Sequence, residues 1–402
     1  MSSVIKERIS KKDLGCFLLY YQGLLGEYRF ENKRGIEQFI NKVKCIQYDP
    51  VDICGKSPEI VLFSRVKQIR KEMLYDLLYT ERKLIDYWDK KMSIFSVEDW
   101  PYFERIREKY RIEEIPEIDL IHNEIIRILE HRNFVSSNDF QYTNKITWHW
   151  GATSLSRAAL EEMYFRGELG IHHKNNQKKY YALIKHLLPS NILNESDSNR
   201  TEEEFLKWYI LRRIQSVGVV WGKPSDIWMN IPVMGITQIR EILEGLLHDG
   251  YIIKVISEDN ETFYCSAECI DYFNDIEIIE KKNKTRMEFI APLDNILWDR
   301  KMIYYLFGFK YKWEMYIPDS KREFGAYVLP ILYKNQFIGR IQMKKAKDEL
   351  ILQKIWFEDE KVLDAEFIDL FLKKIELYKK YLDCKSYKIE FDFLYNLQSE
   401  KK

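Results

Sequence analysis

Apolar residues recur at helical spacing near the start of the chain. Ile36, Phe39, Ile40 and Val43 fall at i, i+3, i+4 and i+7, and Met73, Leu74, Leu77 and Leu78 gather on one face in the same way, so each set predicts an amphipathic helix. Residues 10–110 read as mostly helical. Between those helices, residues 47–65 break the period with Pro50, Gly55 and Pro58, which predicts a strand or irregular segment held between helices. A site would be built there.

Residues 117–188 carry a second pattern. An apolar-periodic helix (Ile121, Ile125, Ile128, Leu129), a short helix over 136–140 and a third over 154–166 lead into a hairpin with a polar tip from Gly167. Three helices and a hairpin make a winged helix. After a polar linker at 189–204 the order recurs, with helices over 204–217, 223–228 and 237–248 and a hairpin over 250–264. From Met287 the texture changes to strands, expected at 311–317, 324–333, 337–343, 350–356 and 387–393, with one helix over 363–382. The fold class is α+β: three tandem winged-helix domains (1–115, 116–190, 203–275) and a C-terminal β-barrel-like domain (287–402).

The third helix of a winged helix usually reads the major groove. Beyond its apolar stripe, the second unit offers Arg157 with Glu161 and Glu162, and the third offers Arg240 with Glu241, Glu244 and Asp249. Exposed acids would repel phosphates, so these units are expected to serve as scaffold walls, which disfavours a sequence-specific regulator.

Composition narrows the class further. At 402 residues the chain exceeds a single core, and 46% hydrophobic with 15% aromatic residues supply packed interiors. Lys and Arg number 63 against 63 Asp and Glu, so no global field draws in nucleic acid, and any such site is local. Cations cluster at 281–286, Arg300-Lys301, Lys321-Arg322 and from Arg340 to Lys347. No apolar run spans a bilayer and the start lacks a signal-peptide core, so a cytoplasmic protein is expected, without membrane contact. The six cysteines show no Cys-x-x-Cys pair, which predicts buried thiols and no metal.

The candidate chemistry lies in Gln47-Tyr48-Asp49-Pro50. In an extended backbone Gln47 and Asp49 project to one face, so an amide and a carboxylate could hold one water between them. Their plain alternatives are a turn-forming Asp before proline and a strand-surface Gln. Arg65 can meet a phosphate or pair with Asp52 or Glu59. Trp88, Trp148, Trp150 and Trp298 read as core or domain-seam residues, and His172-His173 on a wing tip as a phosphate neighbour or simply an exposed pair rather than a metal pair. Ser57 has no His in its segment to activate it.

The chain resembles the winged-helix DNA glycosylases of the AlkZ/AlkX (YcaQ-like) type, on Gln47-x-Asp49, Ser57-Pro58 with residues 62–65, Tyr87-Trp88, 183–189, 292–300, 321–330 and Gly339-Arg340. Gln-x-Asp is the AlkX form. The resemblance implies a C-shaped clamp around double-stranded DNA, excision of alkylated purines, interstrand crosslinks as substrates, no cofactor and a monomer. It implies Gln47 and Asp49 as catalytic, and Arg65, Lys90, Lys91, Lys321, Arg322 and Arg340 are the candidates for holding DNA on the inner surface of such a clamp. Where better-known members carry His-Glu after Tyr-Trp, this chain has Asp89-Lys90-Lys91, which changes the charge of that element.

One carboxylate suffices for such a reaction. Hydrolysis of a neutral glycoside needs an acid for the leaving group as well as a base or nucleophile. An N7-alkylated guanine is already cationic and leaves as a neutral base, so Asp49 need only stabilise the oxocarbenium-like sugar and take the water's proton while Gln47 orients that water. Two alternatives stand beside this: a non-catalytic DNA-binding regulator, and a lyase using Lys44, Lys56 or Lys90 as a Schiff-base amine.

Overall fold

Polar side chains cap the start of several helices. In the computed structural model, which describes residues 8–149, 151–274, 285–359 and 364–391, Ser10 Oγ accepts from Asp13 N at 3.0 Å to open Lys11–Tyr21. Pro58 stands in the first turn of Ser57–Phe63, where its missing N–H costs nothing, and Glu59 closes that end by accepting from Lys56 N at 3.1 Å. Trp150 and residues 281–284 lie outside the described residues.

The architecture is mixed α and β, and the chain divides into two compact units, 1–74 with 206–402, and 75–205. In the first, Asn32–Val43 buries Ile36, Phe39, Ile40 and Val43, the stripe expected from the sequence. A turn at Lys44 (φ 64°) then feeds the strand Cys45–Gln47. The C-terminal part is a curled five-stranded sheet in the order Met287–Phe289, Val328–Tyr333, Gln336–Ala346, Glu349–Phe357, Ser386–Ile389, antiparallel except for the last pair. Helix Ala365–Tyr381 provides the crossover that a parallel final strand requires, and buries Phe367, Phe371, Ile375 and Tyr378. Gly339 is dictated by strand spacing, since an added Cβ would stand 2.2 Å from Trp356 O. Residues 311–317, expected as a strand, form no strand; their backbone is anchored by side chains instead.

In the second unit the helices Pro116–His131 and Leu155–Phe165 precede the hairpin Leu169–Asn175 with Lys178–Leu183, in the order anticipated from periodicity. The acidic third helix is different from expectation: Glu161 and Glu162 are buried, not exposed. Glu161 accepts from Lys179 Nζ at 2.8 Å and Tyr181 OH at 2.7 Å, and Glu162 accepts from Trp148 Nε1 at 3.2 Å, so these acids neutralise interior donors and say nothing about phosphate repulsion. In the first unit, Glu244 accepts from Tyr264 OH and Asp249 from Lys207 Nζ. His172 and His173 lie within a strand, half-buried against Phe134, rather than at the hairpin tip.

Arg65 holds the first unit together and is not a DNA contact. Its side chain is 0% exposed and pairs bidentately with Asp294, at 2.8 and 2.7 Å, in place of the expected Asp52 or Glu59. Nε donates to Gln22 O at 2.9 Å, and the remaining N–H groups reach Val61 O, Ser64 Oγ and Gln22 Oε1. Every donor of the guanidinium fork is therefore spent inside the protein. Arg340 is likewise removed from the DNA-binding set: 3% exposed, it pairs with Glu358 and lies 4.0 Å over the Phe324 ring.

Breaking a buried pair by removing one partner strands the other charge. Arg65→Met should lower unfolding free energy by about 3–5 kcal/mol, and adding Asp294→Leu should recover part of that loss. Denaturant midpoints of the two variants check this; a double variant no more stable than the single would deny that the stranded carboxylate is the cause.

Candidate active site

The strand Cys45–Gln47 is fixed by side chains far away in sequence. Asn295 Nδ2 donates to Cys45 O at 2.8 Å and to Ser216 O at 2.9 Å, and Arg212 donates to Lys44 O at 3.0 Å. Gln22 Nε2 donates to Ser216 O and Val217 O, so the helix Glu202–Val217 is tied to the same group. Gln47 ends the strand, 8% exposed.

Asp49 follows in a turn of its own making. Its Oδ1 accepts from Val51 N at 2.9 Å, the local bond that an Asp before proline is suited to form. The turn-forming reading is thus correct for the backbone, and it leaves Oδ2 for other work. Asp49 is half-buried, and burial raises its carboxyl above the ordinary value, with the Val51 N–H pulling the other way. A carboxylate so desolvated is a better proton acceptor than one in water.

The rest of the loop is pinned from the C-terminal sheet and its helix. Lys345 N donates to Ile53 O at 2.7 Å, Tyr378 OH donates to Cys54 O, and Tyr327 OH donates to Gly55 O at 3.2 Å. Gly55 has φ +110°, a conformation costly for side-chain-bearing residues, and a Cβ there would meet Ile60 and Leu382 at 3.4 Å. Asp52 closes the loop by accepting from Gly55 N at 3.0 Å. The sequence marked the blocks 292–300 and 321–330 without their roles; Asn295 holds the strand before this loop and Tyr327 the loop itself.

Of the other expected site residues, Lys321 is exposed and Arg322 half-buried. Arg322 donates to Ile317 O at 2.7 Å and Glu314 O at 3.2 Å, so most of its fork folds a loop and does not face solvent. In the second unit Lys90 and Lys91 form the turn between Leu84–Trp88 and Met92–Ser96. Lys91 is exposed, whereas Lys90 is 6% exposed, so only one of the two ammonium groups is displayed. Tyr87 and Trp88 are packing residues: the Tyr87 hydroxyl donates to Phe165 O, and the Trp88 ring lies 5.6 Å from Phe165. Trp148 and Trp298 are buried.

A cavity of about 550 Å³ in the first unit, lined by Tyr28, Phe63, Arg70, Lys374 and Tyr381, lies apart from Gln47 and Asp49. Lys374, in its wall, belongs to a buried ion cluster in which Glu288 pairs with Arg286 and Lys374. Among the described residues no group of His, Cys, Asp and Glu gathers to hold a metal ion, and no helix is long and apolar enough to cross a membrane. All six cysteines are buried free thiols.

A sequence model of the family described as DNA glycosylase AlkZ-like matches residues 40–370. The chain belongs to the AlkZ-like DNA glycosylase family. The solved structure of the Streptomyces sahachiroi DNA glycosylase AlkZ is similar in fold, with a TM-score of 0.61 at 12% identity over 95% of this chain and 100% of that one. Family membership makes DNA the substrate and repair the role.

A raised carboxyl means that the folded protein holds the Asp49 proton more tightly than the unfolded chain does, so this group's contribution to stability falls as pH rises from the ordinary carboxylate range through the raised value. Asn keeps the bond from Val51 N without the charge. Asp49→Asn should therefore be at least as stable as wild type near neutral pH, with the difference closing in acid. Thermal melts of both proteins across that range check the sign, and a variant less stable at neutral pH would contradict it.

Proposed function

We propose that this glycosylase is of the AlkX branch, is monofunctional, and hydrolyses the N-glycosidic bond of N7-alkylated purines in duplex DNA, unhooking interstrand crosslinks made through the same atom. Asp49 takes the water's proton and stabilises the oxocarbenium-like sugar, and Gln47 orients the water. The supporting observation is the Asp49 carboxylate, half-buried and raised in pKa, in a loop pinned from three directions. A residue serving only as a turn former needs none of that support.

The helix and hairpin units at 116–190 and 203–275 are read as winged helices, with the N-terminal segment 1–115 as another, and residues 287–402 as the barrel-like arm of a clamp. Lys91 and Lys321, both exposed, are the remaining phosphate contacts. The protein works as a monomer, without cofactor or membrane, in the cytoplasm on the nucleoid.

Asp49→Asn should lower release of N7-methylguanine by about 10² to 10⁴ under single-turnover conditions, with duplex affinity nearly unchanged, and Gln47→Ala should lose less because water partly orients itself. Activity within threefold of wild type in the Asn variant would remove Asp49 from the mechanism. In wild type the rate should climb as pH rises through the raised Asp49 value and then level off, since the ionised form is the base. A nitrogen-mustard crosslinked duplex, assayed in parallel, tests unhooking.

Lys91→Ala and Lys321→Ala should each weaken binding alike on every sequence and reduce the slope of log affinity against log salt by about one. Footprints that select a sequence on undamaged DNA would favour a regulator instead.

A further inference from the structure

The segment that reaches the Asp49 loop through Tyr327 carries an aromatic side chain that the fold holds in solvent. Tyr316 is 78% exposed, on the segment 311–327 that forms no strand until Val328. Exposed aromatic rings on loose loops are common; this loop is tightly built. Glu314, itself buried, accepts from the backbone N–H groups of Glu323, Phe324 and Gly325 at 3.1, 2.9 and 3.0 Å. Arg322 bridges the carbonyls on either side of Tyr316, at Glu314 and Ile317. Tyr311 OH donates to Val328 O at 2.8 Å, and Tyr327 OH reaches Gly55 O on the Asp49 loop.

Trp313 backs the exposed ring. The two centroids lie 5.3 Å apart at 79°, edge to face, and Trp313 Nε1 is buried with no hydrogen-bond partner among the described residues. Leaving that donor unsatisfied costs stability, and keeping the indole there braces Tyr316. The ring also lies within electrostatic reach of the reactive carboxylate: its phenol is pushed up, first by desolvation and then by the Asp49 charge.

We propose that Tyr316 is a substrate-contacting residue of the Asp49 site, its ring face stacking on the cationic alkylated purine. An aromatic face attracts a cation, and a base carrying positive charge at N7 offers both a π surface and that charge. A pre-braced ring loses little rotamer freedom when the base arrives, so more of the stacking energy appears as affinity. This role rests on Asp49 being the reactive carboxylate of a glycosylase.

Tyr316→Leu, Tyr316→Phe and Asp49→Asn separate the possibilities. Two readouts are needed: affinity for a duplex bearing one 2′-fluoro-stabilised N7-methylguanine against the unmodified duplex, and single-turnover release from the cleavable lesion. The Leu variant should lose lesion preference and release rate by roughly 5- to 150-fold, the equivalent of one base–aromatic stack, with melting temperature and affinity for unmodified DNA unchanged. The Phe variant should keep both within threefold. Leu behaving as wild type overturns the role, as does Leu weakening both duplexes equally, which would make the ring a duplex wedge. Phe failing as Leu does would assign the function to the hydroxyl. Asp49→Asn should lose release but keep lesion preference. If wild type prefers the lesion through Tyr316 yet releases no base, the hydrolytic reading fails while the stacking role survives.

Discussion

The buried pair between Arg65 and Asp294 is the constraint on which the first unit depends. Two charges taken out of water are tolerable only when geometry and hydrogen bonding are complete, and here both are. Because the guanidinium also engages Gln22, Val61 and Ser64, it fixes the end of helix Lys11–Tyr21, the helix Ser57–Phe63 and the turn at 292–295 in one arrangement. Asn295, next to Asp294, then holds the strand carrying Gln47. Position at the site thus descends from an interaction that never touches solvent.

Helices and hairpins were legible in the sequence because their signal is local. The stripe Ile36, Phe39, Ile40, Val43 and the helix Ala365–Tyr381 follow from spacing alone. Charged residues were legible only by type. Arg65, Arg340, Glu161 and Glu162 look like surface groups in a one-dimensional reading, yet each is buried with a partner supplied by another segment. No periodicity encodes that partnership. The segment 311–317 was misread as a strand because alternating apolar residues there serve separate anchors, and the decisive element is one buried carboxylate, Glu314, collecting backbone donors.

The candidate site shows the same division. Gln47 and Asp49 were named by spacing and resemblance, and the Asx turn by the proline that follows. Raising the carboxyl takes burial, which only the folded chain provides. The blocks at 292–300 and 321–330 act at a distance, through Asn295 and Tyr327, as the frame of a motif that lies far earlier in the chain.

That distance has a consequence for how the protein comes into being. The contacts closing the loop join residues separated by 272 and 324 positions. During synthesis the Gln-x-Asp segment leaves the ribosome well before the residues that frame it. Long-range closure is the slow step of folding, since its entropy is lost before the contacts form. A half-made chain therefore carries the motif without its frame, and the loop takes its final shape only once the C-terminal sheet and its helix have docked.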